Sequence, residues 1–260
     1  MKAATRVCAI AMLASIGAAR LADAADIHVY STGAPAMAAK AVAENFAKAT
    51  GHRLIFTVGQ PATIESDLDA GAKADIVILP SPVVAMLGGT GALRAGSTVD
   101  LARVGIGVVV RTGASAPDIS DAAAIRKLLL TARSIVYPDP TSGGGSAGRA
   151  IAHMIEEMGL TETVRPKLTR TSAIGGGVAL VAGGNAEVGL FNISEILPIQ
   201  GVQLVGPLPA ELQNYIVFSA AIPVRNTAPE PALAFIQALA APAARDAWRN
   251  AGMEPVAAAR

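Results

Sequence analysis

Residues Pro138–Gly148 read PDPTSGGGSAG. The apolar run Ser134–Tyr137 before them predicts a strand, and Arg149–Glu157 after them predict a helix. Glycine lets backbone N–H groups approach a ligand closely, and a helix N-terminus adds unpaired N–H groups and the positive end of the helix dipole. The stretch therefore predicts an anion-binding loop. A Gly/Ser-rich loop is most often only a flexible connection, so this interpretation depends on whether the arrangement recurs.

The arrangement does recur along the chain. Four loops join a predicted strand to a predicted helix, and they are Ser31–Ala34, Thr57–Pro61, Thr141–Ser146 and Ser172–Gly177. In open α/β sheets, ligands lie outside the carboxyl ends of the strands, which is where loops of this kind occur. The recurrence predicts that the four loops line one cleft.

Strands and helices alternate through the first hundred residues. Strands are predicted at Asp26–Ser31, Arg53–Val58 and Asp75–Leu79, with helices between them, which is typical of a parallel α/β sheet. Two longer extended stretches, Leu101–Arg111 and Gln213–Pro223, are predicted to cross between domains. The fold class is therefore α/β, with two Rossmann-like lobes joined by two crossing strands: residues 25–104 with 208–260, and residues 105–207.

The N-terminal segment has the pattern of a secretory signal peptide. Lys2 and Arg6 precede an apolar run that is too short to span a membrane, and an Ala-Asp-Ala sequence ends at Ala24. Cys8, the only cysteine, lies inside this segment. We therefore predict that residues 1–24 are removed and that the protein is exported to a bacterial periplasm.

Composition argues against several classes of partner. The formal net charge is +1, and no run of basic residues is present, so the charge argues against nucleic acid as a ligand. With three histidines and no cysteine after residue 24, the sequence has no metal-ligand spacing. We expect no metal and no cofactor, and a monomer.

Several segments, in this order, resemble the type II periplasmic solute-binding proteins, and most closely the molybdate-binding family. They are VYSTGAP, FAKATGHRL, LDAGAKADIVIL, YPDP, KLTRTSAI, AEVGLFNISE and AGMEP, which together cover nearly the whole chain after residue 24. The resemblance implies the type II periplasmic binding protein fold, a small anionic ligand held between the lobes, and delivery of that ligand to an inner-membrane transporter permease.

The side chains at the family's ligand positions differ from those that bind molybdate. Ala34 stands where the family has a first serine, Gln60 or Pro61 where it has a second, and Asn192 where it has a tyrosine. Ile174 and the Gly-rich loop match places where the family uses backbone N–H groups. A pocket built to hydrogen-bond one shape rejects another that leaves its groups unpaired. The differences disfavour molybdate and tungstate and favour an organic carboxylate, such as a di- or tricarboxylate.

The sequence also resembles aconitate isomerase, a periplasmic enzyme on the same scaffold, and this leaves an enzymatic alternative open. Interconversion of cis- and trans-aconitate moves a proton along an allylic system, which requires a general base near the carbon. The candidates are Asp139, Glu195, Tyr215 and His28. Each also has a structural interpretation: loop cap, solvated helix-start carboxylate, hinge packing and strand residue, respectively.

Positive charge near the cleft would balance a carboxylate, and we weight Arg170 above Arg149 for this role. No catalytic residue is singled out. The predicted ligand-binding residues are Ser31, Thr32, Gly33, Ala34, Gln60, Thr141, Ser142, Gly143, Gly144, Gly145, Ser146, Arg170, Ser172, Ile174 and Asn192. The preferred function is a binding protein for a small organic anion, with the isomerase as the alternative.

Overall fold

The computed structural model describes residues 24–141, 145–172 and 176–256. The strands are β1 (Asp26–Ser31), β2 (Arg53–Val58), β3 (Ile76–Pro80), β4 (Val99–Val104), β5 (Ile106–Arg111), β6 (Ile135–Pro138), β7 (Leu168–Thr171), β8 (Val188–Asn192), β9 (Val202–Pro207), β10 (Ile216–Ala221) and β11 (Glu254–Pro255).

Helices alternate with these strands over most of the chain. They are α1 (Gly33–Thr50), α2 (Pro61–Asp69), α3 (Ser81–Gly89), α4 (Ala122–Thr131), α5 (Gly145–Glu157), α6 (Thr161–Val164), α7 (Gly176–Ala182), α8 (Ile193–Ile196), α9 (Pro229–Ala240) and α10 (Arg245–Asn250). Short 3-10 helices occupy Arg165–Lys167 and Pro242–Ala244.

The strands form two separate sheets. The first has the order β11-β4-β10-β3-β1-β2, and the second has the order β7-β6-β8-β5-β9. In the first sheet β1 runs parallel to β2 and β3, whereas β10 is antiparallel to β3 and β4. In the second, β6 runs parallel to β7 and β8, whereas β5 is antiparallel to β8 and β9. The predicted fold class, two α/β lobes, is confirmed.

The chain passes between the sheets twice. The predicted strand Leu101–Arg111 is in fact two strands in different sheets, because β4 ends at Val104 and β5 begins at Ile106 with Gly105 between them. The return lies between β9 and β10, and β9 was not predicted. The lobe boundaries at residues 104/105 and 207/208 stay predictions.

Apolar side chains fill both faces of each sheet. One face of the first sheet packs with α1, α9 and α10, which include the buried Trp248, and the other face packs with α2 and α3. The second sheet packs on one side with α4 and α5, and on the other with α7 and α8. Burying both faces explains why β3 is apolar throughout.

Some predictions fall outside the described residues. Residues 1–23 of the predicted signal peptide belong there, as do Ser142, Gly143, Gly144 and Ile174 of the predicted site. Within the described ranges, no helix is both long and apolar enough to cross a membrane. The same ranges hold no group of three or more metal-ligating side chains.

Candidate functional site

A pocket lies between the two sheets, at the carboxyl ends of several strands. The first sheet and its helices contribute Thr32, Gly33, Ala34, Gln60, Pro61, Pro80, Ile216 and Phe218. The second sheet and its helices contribute Pro138, Ser146, Ala147, Thr171, Ser172, Phe191, Asn192 and Glu195. The volume of the cavity is about 60 Å³. The pocket suits a small solute.

Many of the predicted site residues meet in this pocket. Those that line it are Thr32, Gly33, Ala34, Gln60, Ser146, Ser172 and Asn192. Gly145, also predicted, begins α5 next to Ser146. These residues come from all four predicted helix-start loops and from the end of β8, so the structure brings them together across the two sheets.

Ser31 and Thr141 do not line the pocket. Ser31 is fully buried beneath it, and its hydroxyl donates a hydrogen bond to the carbonyl oxygen of Thr32. Thr141 is exposed, and its hydroxyl and N–H both donate to Asp139 Oδ1, at 2.8 and 2.9 Å. The Thr141 side chain therefore shapes its own loop.

Arg170 also lies outside the pocket. Its Nε donates to the Tyr137 hydroxyl at 3.1 Å, and its guanidinium carbon is 6.0 Å from the centre of that ring. The next residue, Thr171, lines the pocket instead. Successive side chains of a strand point to opposite faces, so a cation at position 170 is turned away when residue 171 faces the ligand.

One of the four proposed general bases is in the pocket. Glu195 lines it, whereas Asp139, His28 and Tyr215 do not. The Tyr215 ring lies 4.1 Å from the Arg103 guanidinium carbon, which supports the structural interpretation of that residue.

Two long helices begin in the pocket without a side-chain cap. Thr32 is the N-cap of α1 and Gln60 is the N-cap of α2, and neither side chain accepts a hydrogen bond from its helix. The amide of Gln60 instead reaches 3.5 Å across to the carbonyl oxygen of Ser172. The first N–H groups of a helix have no partner within it. These helix starts therefore present free donors and positive dipole ends to the pocket.

Buried polar atoms without partners concentrate at the same place. Among the described residues they are Thr32 Oγ1, Thr171 Oγ1, Asn192 Oδ1 and Ser194 Oγ. Thr32, Thr171 and Asn192 line the pocket, and Ser194 directly precedes Glu195, which also lines it. A buried polar group left unpaired costs about 1–3 kcal/mol. A bound ligand that completed these bonds would recover that cost.

Glu195 is the one ionisable residue among the described residues that line the pocket, and Asn192 Nδ2 donates to its Oε1 at 2.8 Å. Burial raises the pKa of the Glu195 carboxyl above its ordinary value, and the hydrogen bond from Asn192 opposes this shift. The described lining therefore holds no cation. An anion bound here would be held by neutral donors and helix dipoles.

Two glycines allow helices to approach the pocket strands closely. A Cβ on Gly148 would lie 2.4 Å from the carbonyl oxygen of Pro138, and a Cβ on Gly177 would lie 2.4 Å from Cζ of Phe191. Distances this short are incompatible with any side chain unless the neighbouring atoms shift. The glycines thus set the position of α5 and α7 against the walls of the pocket.

The sequence analysis missed Thr171 and the apolar walls of the pocket. Phe191, Ile216 and Phe218 are buried strand residues whose apolar character looks the same as that of any core residue. Thr171 carried a usable signal, because it is the last residue of its strand and directly precedes a predicted helix-start loop.

This chain is similar in sequence to a known family and to two characterised proteins. The family described as "Bacterial extracellular solute-binding protein" matches residues 27–254. An aconitate isomerase from Pseudomonas sp. is 29% identical over 237 residues, covering 89% of this chain and 88% of that protein. The molybdate-binding protein ModA of Azotobacter vinelandii is 27% identical over 190 residues, covering 71% of this chain and 73% of that protein.

Solved structures show the same architecture. The periplasmic molybdate-binding protein of Azotobacter vinelandii superposes with a TM-score of 0.73 at 20% identity, covering 87% of this chain and 98% of that one. The sulfate-binding protein SubI of Mycobacterium tuberculosis superposes with a TM-score of 0.74 at 20% identity, covering 89% and 87% of the two chains. At these identities the likeness concerns the fold.

Proposed function

The chain belongs to the bacterial extracellular solute-binding proteins, and on that premise we propose that it binds a small organic carboxylate between its lobes in the periplasm. It would then deliver the ligand to an inner-membrane transporter permease. The observation that carries this proposal is the convergence of unpaired polar side chains and uncapped helix starts on one pocket.

The preference for an anion follows from the helix starts. The N-terminus of a helix carries roughly half a positive charge, and its free N–H groups point at whatever lies beyond. Helices α1 and α2 both begin at this pocket. A carboxylate oxygen would accept from these N–H groups and from the hydroxyls of Thr32 and Thr171.

The preference for an organic anion follows from the rest of the lining. Eight of the sixteen described lining residues are apolar: Ala34, Pro61, Pro80, Pro138, Ala147, Phe191, Ile216 and Phe218. An inorganic oxyanion has no apolar surface to place against them, whereas the carbon skeleton of an organic acid does. Ala34 and Asn192 also replace the hydroxyl side chains of the molybdate-binding pattern, in agreement with a different ligand.

Delivery to a transporter is supported by the way the pocket is divided. Each sheet and its helices contribute half of the described lining, so a ligand would hold the two lobes against one another. Closure of two lobes around a ligand is a hinge motion that distinguishes the loaded from the empty protein. A permease recognises that difference.

The proposal is tested by calorimetric titration of residues 25–260, freed of bound ligand, with trans-aconitate, other di- and tricarboxylates, molybdate, tungstate and sulfate. We expect the tightest binding from a carboxylate. Thr171→Val should weaken it, whereas the neighbouring Arg170→Gln should leave it unchanged as a matched control. Tighter binding of molybdate or sulfate than of every carboxylate would overturn the proposal.

A second candidate function is isomerisation of the bound acid, as in the aconitate isomerase relative. Two observations favour it: the 29% identity to that enzyme and the position of Glu195, whose raised pKa makes its carboxylate a stronger base. Glu195 would remove a proton from one carbon and return it to another along the allylic system. Chromatography of cis- or trans-aconitate after incubation with the protein tests this function. A Glu195→Gln variant that isomerised at the same rate would exclude Glu195 as the base.

A further inference from the structure

The hydrogen bonds of Glu195 leave one of its oxygens available to a ligand. Oε1 accepts from Asn192 Nδ2, and no described residue bonds to Oε2. Glu195 is half-buried in the pocket lining, next to the buried Phe191 and Ile196. The second oxygen is therefore the one that a bound acid would meet.

No positive group faces Glu195 from the elements packed against its helix, α8. The elements packed most closely against α8 are α1, β5, β8 and β9, and their titratable residues are Lys40, Glu44, Lys48 and Arg111. The turn at Gly252 also packs on α8, and the charged residues that flank it, Arg249 and Glu254, are paired with Asp246 and Arg103. Lys40 lies over the Phe56 ring and lines a surface cavity with Glu44, and Arg111 lines another cavity beside Arg133 and Glu187. Lys48 lies in the last turn of α1, at the opposite end from the pocket.

A carboxylate entering the pocket would therefore meet Glu195 with no cation between them. Two carboxylates that share a small, largely apolar site cannot both stay ionised, and one takes up a proton. Glu195 is the carboxyl that would take up the proton, because burial already raises its pKa. Once protonated, it changes from a repelling charge into a hydrogen-bond donor.

We propose that Glu195 makes ligand binding proton-linked and is a specificity-determining residue of the pocket. One proton from the solvent binds Glu195 as the carboxylate enters, and the Oε2–H group donates a hydrogen bond to an oxygen of the ligand. No covalent bond of the ligand forms or breaks. The inference rests on the proposed carboxylate ligand being carried, because a protonated Glu195 could not serve as the base of the isomerisation.

The linkage has a defined pH dependence. When the pH is above the pKa of Glu195 in the empty protein, each further pH unit lowers the fraction of protein that carries the required proton about tenfold. Affinity should therefore fall about tenfold per pH unit in the alkaline range and level off at lower pH. At alkaline pH the carboxyl groups of the ligand are ionised and do not contribute.

Calorimetry tests the inference with trans-aconitate as the probe, at pH values from 6 to 9 and in phosphate and Tris, whose ionisation heats differ. The difference between the binding heats in the two buffers gives the number of protons taken up. For the wild-type protein we expect this number to increase with pH and to approach one. Glu195→Gln, which keeps the side-chain shape and the acceptor for Asn192, should bind with equal heats in both buffers. Glu187→Gln, which removes a carboxyl paired with Arg133 outside the pocket, should behave as wild type.

Binding without proton uptake, or equal uptake by Glu195→Gln, would overturn this inference and leave the proposed function standing. If neither trans-aconitate nor any other carboxylate of the panel gave heat at any pH, the proposed function and this inference would both fall.

Discussion

The start of α4 differs from the starts of α1 and α2 in whether side chains of the protein accept hydrogen bonds from the first N–H groups of the helix. At α4 the chain provides its own acceptors: Asp121 Oδ1 accepts from the N–H of Ala124 at 2.8 Å, and Glu211 Oε1 accepts from the N–H of Ala122 at 2.7 Å. At α1 and α2 the N-cap side chains, Thr32 and Gln60, accept nothing from their helices.

A buried carboxylate also binds the segment just before α9, although the N-cap of α9, Ala228, has no side-chain cap. The fully buried Asp75 accepts through Oδ1 from the N–H groups of Thr227 and Ala228, and through Oδ2 from the N–H of His28. At α4, away from the pocket, the chain's own carboxylates occupy the position of an anion. At α1 and α2 we propose that a ligand occupies that position.

The difference separates stability from binding. Carboxylates at the structural helix starts contribute to the free energy of unfolding, whereas unpaired groups in the pocket lower it until a ligand arrives. Substitutions in the two regions should therefore have opposite signatures, which the following variants examine.

The largest effect is expected from Asp75→Ala. The backbone N–H groups of three residues lose their acceptor, which at about 1–3 kcal/mol each lowers the free energy of unfolding by about 3 kcal/mol or more. At about 2–4 °C per kcal/mol for a chain of this size, the melting temperature falls by at least about 6 °C. Thermal melts measure this loss, and calorimetry on the folded fraction should give an unchanged ligand affinity. Weaker binding with unchanged stability would abolish the distinction between the two regions.

Thr32→Val should show the opposite signature. The substitution removes the unpaired Oγ1 and keeps the shape of the side chain, so the free protein should be as stable as wild type or more stable. A hydrogen bond to a charged group contributes about 1.5–3 kcal/mol, so affinity for a carboxylate should fall about ten- to a hundredfold.

Titration and melting of the same Thr32→Val preparation give both numbers. Thr131→Val is the matched control, because the Thr131 hydroxyl bonds only within α4, to the carbonyl oxygen of Lys127. If Thr32→Val bound its ligand as wild type does, the unpaired hydroxyl of Thr32 would not serve the ligand.

The same two regions show what the sequence could predict. The succession of strand, small polar loop and helix is local, and it placed Thr32 and Gln60 at helix starts and Asn192 at a strand end; all three line the pocket, and their part in binding stays a prediction. Those residues were identifiable because their position follows from chain order and from the rule that ligands lie beyond the carboxyl ends of strands.

Contacts between distant segments could not be predicted in this way. Whether residue 170 or 171 faces the pocket depends on the register of β7 against β6, which pairs Arg170 with Tyr137. The sequence could not show which of the four candidate general bases lines the pocket: Asp139, His28, Tyr215 or Glu195. Phe191 and Phe218 became pocket walls only because the two sheets face each other.

Asp121→Ala tests the capped region with a smaller change. Loss of an N-cap costs about 1 kcal/mol, within a range of about 0.5–2 kcal/mol, which lowers the melting temperature by about 2–4 °C. Because α4 begins outside the pocket, affinity should not change. A fall in affinity larger than the fall in stability would show that the two kinds of helix start are not independent.

The smallest effect concerns the pH dependence of stability in Glu195→Gln. A raised pKa means that the folded protein holds the Glu195 proton more tightly than the unfolded chain does. The stability it contributes is present below the ordinary pKa of a glutamate and is lost as the pH rises through the raised value. Glu195→Gln should thus have little effect on the melting temperature at pH 4 and raise it at pH 8. A variant less stable than wild type at pH 8 would contradict the assignment.

Hydrogen–deuterium exchange tests the central claim most directly, because it reports on the helix-start N–H groups themselves. Exchange should be compared between ligand-free protein and protein saturated with trans-aconitate, over peptides that cover the first turns of α1, α2 and α4. The account predicts slower exchange at the starts of α1 and α2 in the complex and no change at the start of α4, whose N–H groups already have acceptors in Asp121 and Glu211. Unchanged exchange at α1 and α2 in a protein shown to bind the acid would contradict it.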